Sequence, residues 1–502
     1  MKRIHDEPTE EDSMNIDGNC ISVISEYIPD YISFGLVSMQ FRDSWIGEKK
    51  SSINLFKKYV KDGNLEMVKY YIKNGCPFDD YTCISAARHG NLEILKLLIS
   101  DGCELDDEIC RFAAYNGHLE IIKWARSQGC PWDDYTTSAA ASGGHLETLK
   151  YAISKGCPWD SSMCTSAAHN GHLEILKYAI SEGCKLNEYV CRYAALGGHM
   201  ETLKYAINEG CKWDKYICSH AAWGGHLEIL KYARSKGCPW DEEVCKKAAK
   251  NGHLEVLKWA RYQGCPWDSG VCRKAAKNGH LEVLKWARSN ECPWDEDEIC
   301  AYASNNGHLE VLKWAVAQGC PLDEEVCLHA VHSGNLEMLQ WLKSEGFPWS
   351  EEACLHAVHS GNLKTLKWLR SQGCEWNERI CGIAARYGHL EILRWARTNG
   401  CPWNISVCIY AAEVGNLEVL KYARSEGCPW DERICETAAF YGNLEILKYA
   451  IFEDCPWNAE VCENVAKNGY IEVILNLERS NRCLCNQEGT GHLEVIKWIR
   501  EN

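Results

Sequence analysis

The sequence predicts an all-α solenoid built from about sixteen helix-turn-helix units. Three observations predict it. A motif Gly-(His/Asn/Tyr)-(Leu/Met/Ile) recurs with its glycine at 63, 90, 117, 144, 171, 198, 225, 252, 279, 307, 334, 361, 388, 415, 442, 469 and 491. Of the sixteen intervals, fourteen are 27 residues, one is 28 and one is 22. Each copy also holds two short apolar stripes at helical spacing, bounded by helix-start and helix-stop residues in the same places.

In chain order, residues 1–15 come first. They open as MKRIHDEPTEEDS, a polar and acidic run that reads as a disordered tail. It contains no apolar core of the kind a secretory signal needs. Residues 16–50 break the repeat. Here Ile24, Tyr27, Ile28, Pro29, Leu36, Val37, Phe41 and Arg42 stand at spacings that resemble an F-box, roughly I-x-x-Y-L-P followed by L-x-L-V-S-x-x-F-R. Ile16-Asp17 replaces that pattern's opening Leu-Pro. The resemblance implies a small helical module that docks on the Skp-type adaptor of a cullin ubiquitin ligase. On its residues alone the stretch equally reads as a helical hairpin capping the first unit.

The array occupies residues 51–502. Its first helix, 51–62, carries Phe56, Tyr59 and Val60 where later units have Cys, Ala and Ala, as an end cap requires. The unit around GCPWDEEVCKKAAKNGHLEVLKWA (237–260) is representative. Asp241 is an N-cap residue, and Glu242 and Glu243 place negative charge in the first turn, where the helix dipole favours it. Val244, Cys245, Ala248 and Ala249 form the buried stripe of a leading helix, which Gly252 ends. Leu254, Val256, Leu257, Trp259 and Ala260 supply the apolar surface of a trailing helix, and Glu255 and Lys258 pair toward water. Gly264 ends that helix, and Cys265-Pro266-Trp267 links to the next unit. The capping position holds Asp, Asn or Ser at 79, 106, 133, 160, 187, 214, 241, 268, 295, 323, 350, 377, 404, 431 and 458. At the far end, residues 482–502 form a degenerate unit, too short for a full leading helix.

Runs such as AAKNGHLEVLKWA resemble the second half of an ankyrin repeat, A-A-x-x-G-H-L-E-I-V-x-x-L-L-x-x-G, over about residues 51–502. The ankyrin period is about 33. The missing residues fall where the β-finger and its Thr-Pro-Leu-His start would sit, so β-fingers are expected to be absent or minimal. Arrays rich in GCPWD and GHLEVLKWA are similar to ankyrin-type proteins of giant DNA viruses of protists. That resemblance implies an intracellular protein of the host cytoplasm.

Composition bounds the function. The net charge of -16 speaks against nucleic acid or an anionic membrane as partner. No apolar run approaches the ~18 residues of a membrane helix. Thirty-one cysteines in a long chain without a signal peptide suggest reduced thiols in an intracellular, monomeric protein. Cys238, Cys245 and His253 have the residue types of a zinc site. Their columns, however, hold Phe347, Thr137 and six asparagines elsewhere, so filler and hydrogen-bonding roles are expected and no metal or cofactor is. Disulfides are disfavoured too, because Cys130 has Thr137 at the seven-residue spacing. The linker tryptophans (132, 159, 213, 240, 267, 294, 349, 376, 403, 430, 457) alternate with Phe78 and Leu at 105, 186, 322 and 484, which suggests wedges between units.

Columns that vary are free to specify a partner. They lie on the exposed side of the leading helices, the side that lines the groove in ankyrin-type stacks. Phe112, Tyr115, Tyr193, His220 and Trp223 are apolar or aromatic. Lys246, Lys247, Lys250, Arg273, Lys274 and Lys277 form a basic group in an acidic chain. His329, His332, His356 and His359 follow, then Arg386, Tyr387, Tyr410, Phe440 and Tyr441. Aromatics and Arg are typical hot-spot residues, so an unidentified target protein is the expected partner. No phosphate-binding glycine loop or Ser/His/Asp order appears, and an enzyme is not expected. The functional expectation is an adaptor: the array binds a target and the F-box-like head recruits a ligase. A plain scaffold or decoy is the alternative.

Overall fold

The structure is a computed structural model that describes residues 49–456 apart from Pro348, together with 461 and 464. The F-box-like residues, the linker Trp457 and the degenerate unit 482–502 lie outside the described residues. Among those described there are thirty helices, from Lys49–Asp62 to Leu444–Phe452, and no strand, so successive helix pairs are joined by a short linker and not by a β-finger. Contacts divide the chain into two compact units. One comprises Met1–Ala167 with Glu174–Cys184, and the other Ala168–Leu173 with Lys185–Asn502.

The helices come in pairs. Leading helices run eight to ten residues after the longer Lys49–Asp62, and trailing helices run nine in each pair. Helices this short are marginal alone in water, so packing must hold them. In the first unit Asp107–Tyr115 packs on Asp134–Gly143, and in the second Glu188–Gly197 packs on Lys215–Gly224. The small Cys-x-x-Ala-Ala stripe permits this close approach: Val244, Cys245, Ala248 and Ala249 are all fully buried. From the trailing helix Leu254–Tyr262, Val256, Leu257 and Ala260 complete the core. Phe56 and Val60 are buried at the first described helix, as its bulkier stripe predicts, with Phe56 against Tyr71 and Phe78.

The capping column does what its residue types predict, with one shift. Asp79, Asp106, Asp214 and Asn377 are N-caps whose side chains accept from backbone N–H groups. At Asp241 and Asp268 the carboxylate still accepts, from Glu243 N at 3.1 Å and Gly270 N at 2.9 Å. The helices there begin two residues later, as Glu243–Lys250 and Gly270–Lys277. Ser350 makes no such bond.

The glycine column is required twice over. Gly225 has φ of 78°, in the left-handed region, and a Cβ there would lie 2.6 Å from His253 Cε1 of the next unit. That ring is held in place. His253 Nε2 donates to the carbonyl of Trp223 at 3.1 Å, His226 to Leu196 at 3.0 Å and His280 to Lys250 at 2.9 Å. Since a carbonyl only accepts, these imidazoles carry their proton on Nε2. Asparagine does the same work with its amide. Asn335 Nδ2 donates to Gly307 O at 2.9 Å, while its Oδ1 accepts from Met338 N and caps its own helix. Histidine and asparagine are therefore interchangeable as clips between neighbouring units.

The cysteines depart from the sequence expectation. Their partners are not seven residues away but twenty. Cys83–Cys103, Cys164–Cys184 and Cys191–Cys211 are joined as disulfides, with Cα atoms 6.8, 7.2 and 6.7 Å apart. The other pairs meet as buried thiols, among them Cys110 with Cys130 at 3.5 Å and Cys354 with Cys374 at 2.7 Å. The reason is topological. A chain that leaves a leading helix, turns and descends its trailing helix returns, twenty residues on, to the helix it left. Where Thr137 replaces the first cysteine, its Oγ1 donates to Asp134 O and Pro158 O instead. Cys157, left without a thiol partner, is pushed up to about 12 by burial, and so is Cys327 opposite the Phe347 position.

The linker tryptophans are wedges with defined neighbours. Arg261 stacks on Trp267 with its guanidinium carbon 4.1 Å from the ring centroid, and its Nη1 donates to Cys265 O at 2.6 Å. Trp267 also meets Trp286 edge-to-face, the ring centroids 5.8 Å apart, which completes an Arg–Trp–Trp sandwich. The sandwich recurs at Arg234/Trp240/Trp259 and Arg370/Trp376/Trp395.

Candidate binding face of the leading helices

The partner-binding residues expected on the repeat array all sit on leading helices or their C-terminal turns, and none is in the core. In the first compact unit, Phe112 is half-buried beneath Arg88, 5.4 Å from ring to guanidinium, and Tyr115 is exposed. The remaining residues belong to the second.

There the exposed face has three parts. Tyr193, His220 and Trp223 form one aromatic run: His220 lies 6.3 Å from Tyr193 and 5.9 Å from Trp223, each edge-on. Burial pulls the His220 imidazole below its usual range, and its Nδ1 is held by Tyr216 O at 2.7 Å.

The basic group splits by position along the helix. Lys246 is tied to Asp268 at 2.9 Å, Glu243 at 3.4 Å and Glu242 at 3.7 Å, and Arg273 to Glu298 at 3.1 Å. These two are structural charges, locking one unit to the next. Lys247, the next residue, and Lys250, one turn beyond Lys246, instead place their ammonium groups 4.5 and 5.6 Å from the Trp223 ring centroid. Lys277 lies 5.8 Å from Tyr302. Among the described residues no carboxylate lies within ion-pair reach of Lys247, Lys250, Lys274 or Lys277. Tyr302 is the residue that sequence reasoning missed. It occupies the column of Lys247 and Lys274, displaced by the single 28-residue interval.

The histidines and the late aromatics form the third part. His332 lies 6.4 Å from His359, and His359 meets Tyr387 edge-on at 4.5 Å. His329 points to Glu325 on its own helix at 3.5 Å. No three potential metal ligands converge among the described residues. Arg386 covers Tyr410 at 5.3 Å and reaches Glu413 at 3.4 Å. Phe440 and Tyr441 are 65% and 54% exposed and meet edge-on at 5.1 Å.

The candidate zinc ligands are otherwise employed: His253 clips its neighbour, and Cys238 and Cys245 each face another cysteine, Cys218 and Cys265. No helix among the described residues is long and apolar enough to cross a membrane.

A family model for ankyrin repeats (many copies) matches residues 83–126 and 138–180. No curated protein matches the chain. Among solved structures, the crystal structure of the human ASB11 ankyrin repeat domain aligns at 16% identity with a TM-score of 0.29, covering 37% of this chain and 98% of that one. The family match falls on helix pairs of the same construction as those that follow them, so residues 83–126 and 138–180 carry ankyrin repeats within a described solenoid of helix pairs that has no strand.

Proposed function

We propose that this protein is a non-enzymatic scaffold that holds a protein partner on the exposed face of its leading helices. One observation carries the reading. The buried columns repeat almost unchanged, while the exposed leading-helix columns differ from unit to unit and are rich in aromatic and basic side chains. Uniform columns build the array; only the variable ones are free to distinguish one partner from another. Ankyrin repeats, which the chain carries, serve protein–protein interaction, in keeping with this reading.

A second reading rests on the F-box-like residues Ile24, Tyr27, Ile28, Pro29, Leu36, Val37, Phe41 and Arg42. In it the bound target is delivered to a cullin-type ubiquitin ligase through a Skp-type adaptor. Affinity capture followed by mass spectrometry tests both readings, using the full chain, the chain lacking residues 1–50, and a variant with Tyr387, Phe440 and Tyr441 changed to serine. The scaffold reading expects a partner that survives the deletion and is weakened by surface changes on leading helices. The ligase reading expects Skp and cullin components that disappear with residues 1–50. Capture indifferent to every leading-helix change would sink the scaffold reading.

A further inference from the structure

Resting on the scaffold reading, we propose that the leading-helix strip from Trp223 to Tyr302 binds a short acidic segment of a partner protein. Three features single this strip out. Four lysines sit as two i, i+3 pairs, Lys247/Lys250 and Lys274/Lys277, on successive leading helices of one compact unit. None of the four has a carboxylate partner, although the chain has sixteen more acidic than basic residues and although Lys246 and Arg273 beside them are fully paired. The pairs are flanked by an aromatic ring on each side, Trp223 on the helix before and Tyr302 on the helix after.

Holding four ammonium groups together without counterions is unfavourable in the free protein, so an anionic ligand relieves a repulsion as well as making contacts. Lys247 and Lys250, half-buried against Trp223, have stems already ordered by packing, which lowers the entropic cost of binding. Size sets the ligand. Packed helices are spaced ~10 Å apart, so Trp223 to Tyr302 spans three steps, ~30 Å. An extended segment of about nine residues covers that length at ~3.3 Å per residue. Carboxylates at its centre meet the lysines, and apolar residues toward its ends meet the rings.

Charge also selects against nucleic acid. A phosphate backbone needs a basic face that continues past the site. Here Glu242, Glu243, Asp268 and Glu298 border the strip at the N-terminal ends of the same helices. A short acidic peptide avoids them, whereas a continuous polyanion does not.

The test uses the full chain and a fluorescent nonapeptide with glutamates at its centre and a phenylalanine near each end, read by anisotropy. A 20-nucleotide oligouridylate is the competing probe. One variant changes Lys247, Lys250, Lys274 and Lys277 to glutamine. A second removes the same charge from trailing helices, at Lys231, Lys258, Lys285 and Lys313, each paired to a glutamate. A third changes the four strip lysines to arginine, and circular dichroism verifies that all three fold. The expected result is that the strip glutamine variant loses at least about tenfold in peptide affinity at low salt, while the trailing-helix and arginine variants stay within about twofold. The strip proposal is overturned by absence of peptide binding, by equal loss in both glutamine variants, or by oligouridylate binding more tightly than the peptide. The scaffold reading stands apart from this outcome: a captured partner that ignores the strip but responds to Tyr387, Phe440 and Tyr441 refutes the strip alone.

Discussion

The Arg–Trp–Trp sandwich predicts a measurable coupling between two residues six apart. Consider Trp267→Leu and Arg261→Ile, singly and together. The Trp267 ring centroid lies 4.1 Å from the Arg261 guanidinium carbon and 5.8 Å from the Trp286 ring centroid, the two indoles edge-to-face. A half-exposed cation–π contact contributes about 0.5–1 kcal/mol, and an edge-to-face pair about 0.5–1.5 kcal/mol. Trp267→Leu removes both and should cost about 1–2.5 kcal/mol. Arg261→Ile removes the cation–π contact and the bond from Nη1 to Cys265 O. In the double variant the cation–π contact can be lost only once, so the two costs should exceed their combined effect by about 0.5–1 kcal/mol. The double variant also recreates a pairing the chain already uses, Ile180 six residues before Leu186. Long arrays violate the two-state assumption, so the assay is native-state hydrogen exchange at amides of the helix Leu281–Ser289, which reports local opening. Strict additivity, with a coupling below about 0.3 kcal/mol, would refute the sandwich as an energetic unit.

Four further predictions follow from the same geometry. Replacing His253 by Ala should destabilise the junction with the preceding unit by about 1 kcal/mol while Asn restores most of it, read as exchange rates in Leu254–Tyr262. Burial, the leading cause in each case, depresses His199, His220, His280 and His356 below 6.5. The unfolded chain therefore binds protons first, so stability is whole above about pH 6.5 and declines as pH falls below it; melting curves at pH 7.5, 6.5 and 5.5 check this, and His280→Asn should flatten the slope. Glu291 has φ of 61° in a column that is glycine in every other described unit but that of Asp454, and its change to Gly should stabilise the protein by about 0.5–1 kcal/mol, the relief of left-handed strain less the added unfolded-chain entropy. Peptide mapping without reductant should recover Cys83–Cys103, Cys164–Cys184 and Cys191–Cys211 and no pair spaced by seven.

Much of the fold was legible because a repeat displays its own rules. Seventeen near-copies expose which positions tolerate change, so the caps, the glycines and the His/Asn column could be assigned by what replaces them. Cysteine pairing was not legible, because spacing along one helix suggests a seven-residue partner and only the returning chain brings the twenty-residue one close. The Arg–Trp pairing was present in the sequence but unread. Arginine at 126, 234, 261, 288, 370, 397 and 424 precedes tryptophan by six, whereas Leu105, Leu186 and Leu322 follow Ile99, Ile180 and Val316 at that distance. At the candidate site, composition revealed a basic group but not its division. That Lys246 is neutralised and Lys247 is not depends on Asp268 of the following unit, which only packing brings within 2.9 Å.

The clip formed by His253 on Trp223 O, repeated at His118, His226, His280 and His308, gives the protein a grain. Every clip is rooted at the start of a trailing helix and lands on the unit before it. Cutting between two units therefore leaves unlike faces. The N-terminal piece exposes a carbonyl that water satisfies at once. The C-terminal piece keeps an imidazole whose anchor has gone and a helix start that has lost its brace. After a protease nick in the middle of the array, the upstream fragment is expected to outlast the downstream one, and units added at the C-terminal end seat themselves on a finished surface.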